Sequence, residues 1–214
     1  VTECLESSVD SFKQVFGEPS RTLRFGNFWL STQAVNQAEN LGIEYDLTIE
    51  PGLQSRWHFE NKPPQSGPTP DFYRVPRFPY SPSRSDFRKQ NNGGSNRNIV
   101  MMPLTSAYRK FGWRRKAWGH RLHRLRCNGI HGRLQNSPLS MWRKWNGHNS
   151  YTSMLDRAIA LQEKPYLAFA IRSSMHGKNF PVYDSNLKTL LNHSASSRFI
   201  FCTPQEAMDR LTPC

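Results

Sequence analysis

Residues 22–31, TLRFGNFWLS, and residues 43–52, IEYDLTIEPG, decide how this chain is read. In the second run Ile43, Tyr45, Leu47 and Ile49 alternate with Glu44, Asp46, Thr48 and Glu50, a period of two that predicts a strand with one apolar and one polar face. Such a strand either lies at a sheet edge with its carboxylates in water or turns its polar face toward a site. In the first run Arg21 to Asn27 reads as a short strand leading into Phe28 and Trp29. Between the two, Ser31 is placed to N-cap a helix that carries Val35, Ala38 and Leu41 and stops at Gly42. Arg24, Trp29, Asp46 and Glu50 are the side chains these strands would bring to a site.

The pattern extends in both directions. Leu5, Val9, Phe12 and Phe16 recur at helical spacing ahead of Gly17, which predicts a helix over residues 3–16. Helix, strand, helix, strand with short connections predicts a parallel sheet wrapped by helices. Prolines and a Gly/Asn/Ser run break the rhythm from Pro51 to Asn98, although Trp57, Phe59, Phe72, Tyr73, Phe78 and Tyr80 predict that part of this excursion packs down or rims a site. A strand is expected over 99–105. Tyr151, Leu155, Ala158 and Ile159 mark a helix, Tyr166 to Ile171 a buried strand, and Leu187, Leu190 and Leu191 a helix starting after Asp184 or Ser185. A last strand is expected from Arg198 to Cys202. Thr203-Pro204-Gln205-Glu206 is a capping box with proline at the first helical position, a start signal for a closing helix through Leu211. The segments within 20–50, 99–105, 166–171 and 198–202 are expected to be neighbours in one mostly parallel sheet, in a single domain over 1–214 with insertions at 51–98 and 106–150.

The formal net charge of +13 is concentrated. No Asp or Glu occurs from Phe87 to Leu155, a span with 14 of the 29 Lys and Arg. Over 107–148 the cations interleave with Tyr108, Trp113, Trp118, Trp142 and Trp145, the composition of a surface for an anionic polymer. Arg114, Arg115, Lys116, Arg121 and Arg124 are its candidate contacts. A solvated basic helical excursion has the same composition, and His120, His123, His131 and His148 have no zinc-like spacing. Cys4, Cys127, Cys202 and Cys214 are scattered and read as free thiols. No apolar run reaches the about 18 residues of a spanning helix and no charged-then-apolar leader is visible, so a cytoplasmic protein without a membrane span is expected. The chain begins at Val1 rather than Met, which reads as a fragment or a processed product.

The ordered set Arg24-Phe25-Gly26, a helix, Leu41-Gly42-Ile43-Glu44-Tyr45-Asp46 and Pro51-Gly52 resembles the middle of a polysaccharide deacetylase domain. YLAFAIRSS (166–174) and RFIFCTPQEAMDRL (198–211) resemble the late strand and the closing strand and helix of that family. The resemblance covers residues 5–105 and 151–211 and implies an α/β fold, a partial or distorted (β/α) barrel interrupted by the long irregular basic insertion. It further implies hydrolysis of N- or O-acetyl groups, on carbon–nitrogen non-peptide bonds in the first case, with a polysaccharide or oligosaccharide as partner. A divalent metal, zinc or similar, would be held by one Asp and two His, with a second Asp taking the proton of the activated water. Neither the paired aspartates nor a His-x-x-x-His spacing is present, so the metal ligands are expected upstream and the chain alone is expected to be inactive. Arg24 would orient the base through its planar fork, Trp29 and Trp57 would stack on sugar rings, and Asp46 would stand at a strand end where barrel sites collect. Arg172 occupies the place of the family's general-acid histidine and cannot exchange a proton near neutral pH. His176, four residues on, could replace it only if the strand ended early. The alternative is a non-catalytic protein that binds an anionic glycan or nucleic acid through the basic 107–148 segment.

Overall fold

The computed structural model describes residues 2–26, 30–53, 71–72, 74–93, 96–109, 136–160, 166–170 and 180–211. It is a mixed α/β structure with five α-helices among the described residues. Two compact units are present: the first comprises Val1–Glu50, Gln54–Pro103 and Thr203–Cys214, the second Pro51–Leu53 and Leu104–Cys202.

In the first unit, helix α1 (Thr2–Phe16) ends at Gly17, whose φ of 79° suits a residue without a Cβ, and the Gly17 N–H caps Lys13 O at 2.8 Å. Only Leu5 of its apolar face is buried; Phe12 and Phe16 stack on each other at 4.4 Å and remain exposed. Strand β1 (Thr22–Leu23) leads to helix α2 (Thr32–Asn40), capped by Ser31 Oγ, which accepts from Ala34 N–H at 3.1 Å. The helix closes as its sequence requires. Gly42 N–H donates to Glu39 O and Ile43 N–H to Ala38 O, both at 3.0 Å, with Gly42 at φ 84° and the apolar pair Ala38 and Ile43 buried.

Strand β2 (Tyr45–Asp46) is the centre of a three-stranded parallel sheet of order β1-β2-β3, where β3 is Val100–Met101. Thr22 and Leu23 pair with Tyr45 and Asp46, which pair in turn with Val100 and Met101. A central parallel strand is covered on both faces, and here Ile43, Ile49, Asp46 and Thr48 are all at 1% exposure or less. The edge-strand reading of 43–50, with its carboxylates in water, is therefore corrected: burial of the polar face is set by the sheet position, which the alternation alone does not encode. On the outer side of β1, Ser20 Oγ donates to Thr22 O at 2.7 Å and accepts Thr22 N–H at 3.3 Å, so a side chain occupies the hydrogen-bonding edge.

Part of the excursion packs down, as expected of Phe72 and Tyr80, whereas Phe78 is exposed and Trp57, Phe59 and Tyr73 lie outside the described residues. Phe72, Tyr80 and Phe87 are buried, the two phenylalanines meet edge to face at 6.2 Å, and Tyr80 bridges Met101 antiparallel. The closing helix, here α5 (Pro204–Leu211), starts with the expected box: Thr203 N–H donates to Glu206 Oε2 at 2.7 Å and Glu206 N–H to Thr203 Oγ1 at 3.3 Å. Arg21 fastens it to the sheet by bonding both Glu44 and Gln205.

In the second unit, β4 (Ser106–Tyr108) pairs antiparallel with β5 (Asn136–Pro138). The basic stretch is thus entered and left through strands, which corrects the helical expectation at its two ends. Helix α3 (Tyr151–Ala160) and helix α4 (Phe180–Leu191) pack with Ala107, Leu139 and Met141 in one apolar core. Helix α4 begins several residues before the predicted start because Pro181 fits a first helical turn, where its missing N–H costs no bond. Residues 166–170 form no strand, although Thr105 N–H donates to Ala168 O at 3.0 Å and Ala168 N–H to Thr105 Oγ1 at 2.7 Å. The expected strand over 198–202 is also corrected: a 3₁₀ turn fills Ser196–Arg198, and exposed Ile200 and Phe201 follow without a ladder. Neither segment adds to the β1-β2-β3 sheet.

Asn186 on α4 is buried and donates from Nδ2 to Met141 O at 2.7 Å and to Arg143 O at 3.1 Å. Asn186→Leu should destabilise the chain by about 1–3 kcal/mol, because two carbonyls lose their donor. Urea unfolding read by circular dichroism checks this, and a change under about 0.5 kcal/mol would contradict it.

Candidate functional site

Two of the expected site residues come together at the carboxyl ends of adjacent parallel strands: Arg24 follows β1 directly, and Asp46 is the last residue of β2. In open α/β sheets this end collects ligand and catalytic groups. Asp46 is fully buried. Its Oδ1 accepts the Thr48 N–H at 2.8 Å, and the Thr48 hydroxyl, which accepts Phe25 N–H at 2.9 Å, also bonds the carboxylate. Among the described residues Oδ2 has no partner.

Burial pushes the Asp46 carboxyl up to about 6, against the opposing pull of the Thr48 bonds and the Arg24 charge. Tyr80 is also buried; its hydroxyl donates to Phe87 O at 2.8 Å, and burial with the charges of Asp46 and Asp86 raises its pKa. The strand end thus holds a carboxylate that titrates within reach of neutral pH, a pattern enriched at functional sites.

Arg24 does not bond Asp46. Its Nη1 donates to Leu47 O at 2.6 Å and its Nη2 reaches Glu50 Oε1 at 3.3 Å, so the guanidinium clasps the chain just beyond β2 and pairs with a mostly buried carboxylate. Thr48 is the site member that sequence reasoning did not single out, and Tyr80 is named there only as one of six aromatics that pack down or rim a site. The alternation of 43–50 does set Thr48 on the face of Asp46, the one local signal that could have found it; Tyr80 comes from far along the chain.

Trp29, Trp57, His176, Arg114, Arg115, Lys116, Arg121 and Arg124 lie outside the described residues. Among the described residues, no three His, Cys, Asp or Glu side chains come together as a metal site, and no helix is long and apolar enough to cross a membrane. Cys4 and Cys202 are exposed free thiols. No family model, no curated protein and no solved structure matches the chain.

Proposed function

We propose that the chain belongs to a carbohydrate deacetylase domain acting on N- or O-acetyl groups of a glycan, with β1–β3 as consecutive strands of an incomplete (β/α) barrel. The observation that carries this reading is the buried Asp46 carboxylate, with one oxygen lacking a partner among the described residues, beside Arg24 at the carboxyl ends of adjacent parallel strands. Buried as it is, Asp46 suits a positioning role: its free oxygen accepts an N–H or O–H from a neighbouring catalytic side chain rather than from a bulky sugar. Arg24 fixes the backbone at Leu47 and the Glu50 carboxylate, which holds the strand end that presents Asp46. The described residues do not fit the divalent metal of such enzymes, and no step is assigned through it. In this reading Asp46 and Arg24 orient groups, and no water-activating role is given to them.

Residues 1–214 should release no acetate from acetylated chito-oligosaccharides with zinc, cobalt or nickel added, yet should bind them, with Trp29→Ala weakening binding about tenfold through lost ring stacking. Isothermal titration and acetate quantification provide the readouts. Metal-dependent release abolished by Arg24→Ala would overturn the orienting role and direct attention to His120, His123 and His176. Failure to bind any acetylated glycan would overturn the deacetylase reading.

A further inference from the structure

Charge is segregated between the two units. The second holds 17 of the 29 Lys and Arg but three of the 16 Asp and Glu, leaving 12 cations and 13 acids to the first. Four acids of the first unit are matched locally: Glu39 with Arg97 and Arg84, Glu44 with Arg21, Glu50 with Arg24, and Asp86 with Arg88 and Lys89. In the second unit Asp184 is paired with Lys188 at 2.7 Å, and Asp156 accepts from His193 Nε2 at 3.0 Å. The His193 proton sits on Nε2 because Nδ1 accepts the Ala195 N–H at 3.1 Å. Three acids cannot neutralise 17 cations, whatever their arrangement. Such an excess opposes compaction through self-repulsion and draws a polyanion to the surface that carries it.

One described turn of this unit presents cations in a fixed way. Asn186 holds the carbonyls of Met141 and Arg143, and Trp145 Nε1 donates to Ser140 O at 3.1 Å. Arg143 and Lys144 are exposed on this anchored turn, with the Arg143 guanidinium over the Trp145 ring at 5.1 Å from its centroid. Trp142 and Trp145 both pack partly against the core. Rings engaged in this way are poor stacking platforms for the bases of a single-stranded nucleic acid. The cations beside them still meet carboxylate or sulfate groups through charge and the guanidinium fork.

We propose that the second unit binds an anionic polysaccharide, with the Arg143–Lys144 turn as one of its contact points. Binding as such stands on the charge of this unit. The choice of a glycan as the polymer rests in part on the deacetylase reading; binding of the uncharged acetylated chitohexaose reports that reading and salt-dependent binding of the polyuronate reports this one, so the two fail separately.

The test is fluorescence anisotropy of residues 1–214 with a labelled, partly acetylated polyuronate, with labelled poly(U) and with labelled acetylated chitohexaose over a salt series. Polyuronate affinity should fall linearly on a log–log salt plot. Arg143→Gln with Lys144→Gln should reduce the slope by about two and the low-salt affinity at least about tenfold. Lys89→Gln in the first unit should change neither. Circular dichroism melts establish that the variants are folded. Tighter binding of poly(U) than of polyuronate at equal salt would make nucleic acid the ligand and overturn the proposal. Absent or salt-insensitive polyuronate binding, or binding unchanged in the double variant, would also overturn it.

Discussion

Arg97→Ala should destabilise the chain by about 3–5 kcal/mol at pH 7, the cost of leaving the buried Glu39 carboxylate without its buried partner and with only the exposed Arg84 as counter-charge. The Arg97 side chain is fully buried and its neighbour Glu39 nearly so. Arg97 Nη2 donates to Glu39 Oε2 at 2.7 Å and to Asn36 Oδ1 at 2.9 Å, Nε to Glu39 Oε2 at 3.0 Å, and Nη1 to Pro82 O at 3.2 Å. Glu39 Oε1 in turn accepts Asn98 N–H at 2.9 Å. One guanidinium thus ties α2 to the 80–98 excursion just before β3, so its loss frees the segment that lays Tyr80 against the strand-end site. Burial raises the Glu39 pKa, but the bonds from Arg97 and Asn98 and the charges of Arg97 and Arg84 outweigh it and hold the carboxyl below its ordinary 4.5. A depressed carboxyl contributes stability that is present above its unfolded pKa and lost as pH falls through the folded one. The Arg97→Ala penalty should therefore be full at pH 7 and shrink below about pH 4. Urea unfolding at the two pH values measures it; a penalty under about 1 kcal/mol at pH 7 would contradict the buried-pair account. Replacing both partners with apolar residues of similar volume should cost much less than either single truncation.

That pair was not legible in the sequence, and the reason is distance. Glu39 lies on a predicted helix and Arg97 in a Gly/Asn/Ser-rich run 58 residues away, with no period linking them. Features encoded within one turn of chain were legible: the Ser31 cap, the Gly42 stop and the Thr203–Glu206 box all formed as their residue types require. Strand positions within the first unit were legible too, since residues 22–23, 45–46 and 100–101 pair in parallel where strands were expected. Apolar content misled at 198–202, because a short apolar run is equally compatible with an unladdered, exposed segment, and Ile200 and Phe201 are exposed. The apolar spacing of Leu187, Leu190 and Leu191 placed a helix start only after Asp184 or Ser185, whereas Phe180-Pro181 opens the helix earlier. For the candidate site, the residue types at 24 and 46 were legible, but the depth of Asp46 was not.

Between pH 4.5 and 7.5 the stability of the chain should fall by about 2 kcal/mol on account of Asp46 alone, and Asp46→Asn should remove that fall. Asp46 has its carboxyl raised from 3.8 to about 6, chiefly by burial. The folded state therefore binds this proton more tightly than the unfolded state does. Stability from this group is fully present below the unfolded pKa and is lost as pH rises through about 6, the reverse of the Glu39 case. Glu39 acts below about pH 4.5, so above that pH the change from these two groups belongs to Asp46. In the protonated wild type and in the Asn variant alike, the group at Oδ2 is a buried donor without a partner among the described residues, so the two proteins should be nearly equal in stability below the unfolded pKa and differ by only about 1 kcal/mol at pH 4.5. At pH 7.5 the wild type alone carries a buried charge whose Oδ2 has no such partner, and the variant should be the more stable by up to about 3 kcal/mol. Urea titrations of both proteins across this range, taken as wild type minus variant, cancel the histidines and every other group common to the two. A difference that stays flat with pH would remove the basis for a titrating site at this strand end. A difference that grows through pH 6 would show that the chain retains a destabilising carboxylate there, as expected of a site held for function rather than for stability.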